Sequence, residues 1–130
     1  MKSYPVSSKL STPRGYSHVV TASGTMVFVA GQIALDVQGN VVGEGDLRLQ
    51  TVQVLQNVKA ALEAANATFS DVVKMNTYVV NLKPEDLPII REVRSTYFPS
   101  SDPPASTLVG VTALAMPGLL IEVEVVAVVE

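Results

Sequence analysis

The chain contains no cysteine and a single histidine, His18, among its 130 residues. Without thiols there is no disulfide, no thiolate nucleophile and no iron–sulfur or cysteine–zinc site, and one imidazole cannot build a multi-histidine metal centre. Any chemistry must use oxygen, guanidinium, ammonium or backbone groups, with no metal and no cofactor implied. Charge is also scarce: charged residues make up 16%, and the net charge is −3. The nine Lys and Arg are scattered and form no basic stripe to neutralise a phosphate backbone, which argues against nucleic acid as a partner. No apolar run approaches the roughly 18 to 20 residues that cross a bilayer. The opening MKSYPVSSKLSTPRG has no apolar core of the kind a secretion signal carries, so a cytoplasmic chain that stays off membranes is expected.

Apolar surface, by contrast, is abundant. Hydrophobic residues make up 48% and the mean hydropathy is +0.34, high for one domain of this length, which has much surface relative to volume. Some of that surface is expected to be covered by another chain.

Residues 1–15 carry no hydrophobic period and are expected to form an irregular arm. From His18 the pattern reads as strand: HVVTAS, a turn at Gly24 and Thr25, then MVFVAG, together a β-hairpin. DVQGN is a turn. Val52, Leu55, Val58, Leu62 and Ala65 then recur at helical spacing, with Asp46 to cap the start and Asn66 to end the helix. DVVKMNTYVVN, at residues 71–81, reads as a third strand with Lys74 and Asn76 on one face. A second helix starts near Pro84, Glu85 and Asp86, carries Leu87, Ile90, Arg94 and Tyr97 on one side, and ends before Pro99. Two closing strands, residues 105–114 and 119–129, joined through a turn at MPG, form a hairpin. The order predicts a single α+β domain over residues 1–130, a mixed sheet with two helices on one face.

The last strand, LLIEVEVVAVV, is the most informative. One of its faces is wholly apolar; the other begins with Glu122 and Glu124 but continues as Val126 and Val128. Two helices can cover only one face of such a sheet, so the other is expected to meet further copies in a closed homo-oligomer.

Each candidate site residue admits a plain reading beside a functional one. Glu122 and Glu124 either keep a wet strand end soluble or place carboxylates at a subunit boundary. Arg14, Gly15, Tyr16, Ser17 and His18 form either a surface loop or a holder for a small anion. Gly31 marks either a bulge or a close backbone approach to a ligand. GNVVGEG matches neither dinucleotide nor Walker pattern and reads as a turn. Arg91 and Arg94, with Glu85 and Glu92 nearby, make either a solvated helix face or a cationic site.

In this order the motifs GYSHVV, VAGQIALD, LQNVKAALEAAN, DVVKMNTYVVNL, PPASTLVGV and IEVEVVAV make the chain resemble the Rid family, also called YjgF-like or endoribonuclease L-PSP, from about Tyr16 to the C-terminus. The resemblance implies a chorismate-mutase-like protomer, a homotrimer around a central barrel, and ligand clefts between subunits. It further implies hydrolysis of small imines or enamines to a 2-oxo acid and ammonia. The family's Tyr falls on Tyr16, its backbone donor on Gly31 and its water-positioning Glu on Glu122. Its carboxylate-binding Arg does not carry over: where the pattern reads Pro-Ala-Arg-Ser, this chain has Pro104, Ala105, Ser106 and Thr107. Hydroxyls can donate hydrogen bonds but cannot supply the bidentate clamp of a guanidinium. Arg14 or Arg91 is the expected substitute cation.

Two functions are therefore weighed. One is a Rid-like hydrolase in which Glu122 is catalytic and Tyr16, Gly31, Ser106, Thr107, Arg91 and Arg14 hold an anionic small molecule. The other is a non-catalytic trimer that binds such a metabolite. A ribonuclease fits badly with an acidic chain holding one His.

Overall fold

A computed structural model describes all 130 residues. Its strands are β1 (Lys2–Ser3), β2 (Thr21–Ala22), β3 (Thr25–Gln32), β4 (Val72–Val80), β5 (Ala105–Val111) and β6 (Ile121–Val129). The helices are α1 (Leu47–Ala64) and α2 (Asp86–Arg94), with one 3₁₀ turn at Phe69–Asp71. The main sheet has the order β3-β6-β4-β5, and α1 and α2 lie on one face of it. β5 runs parallel to β4 through the α2 crossover, while β6 is antiparallel to both β3 and β4. This is the expected mixed α+β sheet, and no helix is long and apolar enough to cross a membrane.

Both expected hairpins are absent. β5 and β6 do not pair, because β6 passes over to the far side of β4 and takes the centre of the sheet. The centre suits the most apolar strand, since only there are both backbone edges and one whole face shielded. Likewise β3 pairs with β6 and not with the segment before it; that segment shrinks to β2, which pairs with β1 of the N-terminal arm. The arm is thus irregular except at Lys2–Ser3.

α1 forms where expected. Asp46 caps it by accepting from the Leu49 N–H at 3.0 Å, a bond worth about 1 kcal/mol in such positions. Asn66 ends it in the left-handed region, with the Ala67 N–H returning to the Leu62 carbonyl at 2.9 Å. Val54, Leu55, Val58 and Leu62 seal against Ile121, Val123, Val125 and Ala127 of β6 and Met75 and Val79 of β4, all at most 2% exposed. The buried stripe is broader than its apolar members, because Gln50 and Thr51 are buried too. The Gln50 amide donates to the carbonyls of Gly43 (3.1 Å) and Gly118 (2.8 Å), and its oxygen accepts from the Leu120 N–H (2.8 Å). A buried polar side chain with all these partners satisfied fixes the backbone around it. Here that fixes the entry to β6 two residues before Glu122.

α2 is shorter than expected and buries Ile90 and Val93. Beyond its end, Phe98 packs edge-on to Phe69 with centroids 4.8 Å apart, which anchors the C-terminal turn where Arg94 sits.

Candidate active site

Alternation along β6 turns Ile121, Val123, Val125 and Ala127 to the helices, and hence Glu122 and Glu124 to the opposite, outer face. Glu124 is the satisfied one. Its Oε1 accepts from the Tyr78 hydroxyl at 2.6 Å and from the Asn76 amide at 3.0 Å, both from β4. The Tyr78 bond, then the Asn76 bond, hold the Glu124 carboxyl below its ordinary range against the opposing effect of burial. The same bond favours the neutral phenol, so Tyr78 is raised, helped by burial and by the charges of Glu124 and Glu122.

Glu122 has no such donors. Its carboxylate lies across β3 at a β-bulge, where two residues, Ala30 and Gly31, between the pairs Val29–Val125 and Gln32–Val123 oppose one on β6. A Cβ placed on Gly31 would overlap the Glu122 Oε2 and crowd its Cδ, at 2.7 Å. Gly31 is thus both the bulge and the close approach: only a bare Cα lets the carboxylate lie there.

The other candidate residues gather at the β5 edge. The Ser17 N–H and hydroxyl donate to the carbonyls of Pro104 (3.1 Å) and Pro103 (2.6 Å), clipping the arm beside the start of β5. Tyr16 stacks edge-on against His18, with centroids 5.3 Å apart. The His18 Nε2 meets the Ser11 carbonyl at 2.7 Å, so that nitrogen carries the proton and the ring is held as a structural tie. Thr107 faces outward and accepts from the Lys74 ammonium at 2.8 Å. Ser106 pairs in register with the core residue Met75 and therefore points to the helix side.

The cation that reaches Ser106 is Arg94. Its Nη1 lies 3.5 Å from the Ser106 Oγ, and its Nη2 donates to the Gly15 carbonyl at 3.0 Å. Arg14 and Arg91 line the same pocket without contacting Ser106. The sequence held a sign of this, since Arg94 falls on the otherwise apolar side of α2, four residues after Ile90. No three His, Asp or Glu side chains converge within the chain, so it offers no ready cluster of metal-ligating donors.

Comparison with known proteins decides the family. Residues 6–129 match the family described as endoribonuclease L-PSP. A RutC family protein of Pyrococcus abyssi is 40% identical over 112 residues, 86% of this chain and 84% of that protein. The 2-iminobutanoate/2-iminopropanoate deaminase of Dermatophagoides farinae is 37% identical over 115 residues, 88% of this chain and 86% of that one. The crystal structure of YyfB, of the Rid family, from Yersinia pestis superposes with a TM-score of 0.91 at 40% identity, covering 98% of both chains. This chain belongs to the Rid family.

In this Rid protein the candidate residues divide into two groups. Gly31 and Glu122 lie on the β3–β6 side; Tyr16, Ser106, Thr107, Arg14 and Arg91 lie at the β5 edge. Ser106 is level with Val125, three residues along β6 from Glu122 and two strands away. Strand spacings of about 4.8 Å and rises of about 3.3 Å put the two Cα atoms roughly 14 Å apart, with side chains on opposite faces. One protomer does not bring the two groups together.

Proposed function

We propose that this Rid protein hydrolyses a small imine, enamine or related carbonyl-derived metabolite, without metal or cofactor, in a cleft completed between copies of a homotrimer. The separation of the two residue groups supports it: the β5 edge of one protomer and the β3–β6 side of the next can face each other across a repeated head-to-tail contact, which closes into a ring. The outer face of the sheet supports it too, with Met26 56% and Phe28 71% exposed beside Val126. The name of the Dermatophagoides farinae relative agrees with an imine substrate.

One observation carries the reading: the Glu122 carboxylate sits against the bare backbone of Gly31 without a hydrogen bond from any other side chain. A water held by that carboxylate gives up a proton as its oxygen bonds to the imine carbon, and the C=N electron pair moves to nitrogen. The nitrogen takes that proton from Glu122 to give a tetrahedral carbinolamine; when its C–N bond breaks, the adduct's hydroxyl proton passes to the nitrogen, which leaves as ammonia, and the carbonyl product forms. The Gly31 backbone and the Ser106 or Thr107 hydroxyls supply neutral donors to the substrate's oxygens, and Tyr16 closes the cleft. Because Ser106 stands where the family pattern has Arg, the standard amino-acid-derived imines are turned over poorly. Ammonia release from a panel of enzymatically generated imino acids tests this: a measurable rate in the wild type that vanishes in Glu122→Ala supports it, and equal rates in the two proteins contradict it.

The neutral hydroxyl at Ser106 favours a second reading, a trimer that binds the metabolite without changing it. Saturable melting-temperature shifts with no product would select that reading.

A further inference from the structure

Three of the nine cationic side chains converge on one pocket of about 370 Å³ between the arm and the end of α2: Arg14, Arg91 and Arg94, with Gly15, Phe98 and Pro103. No acidic residue lines it. The two ion pairs of the chain lie elsewhere, Met1 with Glu130 and Arg48 with Glu92. Glu92, which the sequence places beside both helix arginines, is therefore engaged by α1. All three guanidinium groups lack a carboxylate partner.

Arg14 and Arg91 are exposed to water, so the cost of the cluster falls on the half-buried Arg94. Arg91 and Arg94 are three residues apart on one helix, where like charges repel. Arg94 is also withdrawn from solvent, lying 5.5 Å over the Phe98 ring with its Nη2 spent on Gly15. Burial, then the neighbouring Arg91 charge, lower its pKa. A chain with net charge −3 has acids enough to neutralise the cluster and does not place them there. Unrelieved local cost of this kind marks a site whose compensation arrives with a ligand.

We propose that the pocket binds a small dianion, a molecule carrying two negative charges on oxygen such as a dicarboxylate or a phosphomonoester. A guanidinium fork matches both groups in bidentate fashion. A single carboxylate would leave two of the three guanidinium groups unmatched, so a ligand with two charges fits the cluster better than one with a single charge. The pocket is lined by one protomer at the β5 edge that the proposed cleft also uses, so the inference rests on that reading for its setting but not on Glu122.

Titration calorimetry and thermal melting of the full chain at constant ionic strength test it, with succinate and inorganic phosphate as the dianionic probes and acetate as the monoanion. Saturable binding and a raised melting temperature are expected with at least one dianion and not with acetate; the tighter of the two shows whether the group recognised is carboxylate or phosphate. Arg14→Ala and Arg91→Ala should each weaken binding about tenfold, as loss of a hydrogen bond to a charged group does. Arg94→Lys, which keeps the charge and the packing but loses the fork, should weaken it as well. Glu122→Gln should bind like the wild type, which separates this site from the cleft chemistry. Equal affinity in wild type and the Arg14→Ala, Arg91→Ala double variant, or melting shifts no larger with either dianion than with acetate, would overturn the proposal.

Discussion

The two faces of the central sheet are made from the same strands and carry opposite outcomes. On the inner face Ile121, Val123, Val125, Met75 and Val79 are sealed beneath α1, none more than 2% exposed. On the outer face, one residue along in each strand, lie Glu122, Glu124, Asn76 and Tyr78, and beside them Phe28, 71% exposed. Strand alternation alone makes this division. The inner face spends its residues on stability, while the outer face combines apolar surface that a second copy can cover with polar groups that can work at the seam.

A carboxylate forced onto the outer face should have the largest effect. Phe28→Asp is expected to abolish assembly, read as a fall to single-chain mass in sedimentation, while circular dichroism stays native; an unchanged mass would show that the outer face is not an interface. Ile121→Ala on the inner face should cost roughly 2–5 kcal/mol in denaturant unfolding, as large-to-small changes in sealed cores do. A loss below about 1 kcal/mol would mean that the inner face is less tightly packed than described. Gly31→Ala should push the Glu122 carboxylate aside and lower turnover by about a hundredfold, the typical cost of misplacing a catalytic group by an ångström, and unchanged ammonia release would separate Glu122 from the chemistry.

The smallest effect concerns the polar pair of the outer face. Because the folded-state pKa of Glu124 is depressed, its contribution is fully present above the ordinary carboxylate value of about 4.3. That contribution is lost as pH falls through the folded value. Tyr78→Phe removes the strongest donor, so the acid limb of the unfolding curve should move to higher pH. An identical acid limb in the two proteins would show that the bond does not stabilise the fold.

Local features of the fold were legible in the sequence, because short-range physics sets them. The Asp46 cap, the Asn66 helix end, the β4 run and the alternation of β6 each depend on a few neighbouring residues. Strand order was not legible, since reading adjacent strands as hairpins ignores that β6 must lie in the middle to be shielded at both edges. At the candidate site, Glu122 and Gly31 could be named separately, but their contact depends on a bulge that places two residues of β3 against one of β6. Arg94 was placed on the apolar side of α2 without its role being visible, because only the packing of Phe98 on Phe69 and the docking of Gly15 bring it to Ser106. The Tyr78–Asn76–Glu124 cluster needs the β4–β6 register, which no local pattern encodes.

On the proposed reading, joining Ser106 to Glu122 in one cleft and covering the open outer face both take more than one copy of the chain. Sedimentation equilibrium of the wild-type protein at micromolar concentration is the most direct measurement of this. The account predicts a mass three times the 13.8 kDa of one chain, and a stable species at the single-chain mass would contradict it.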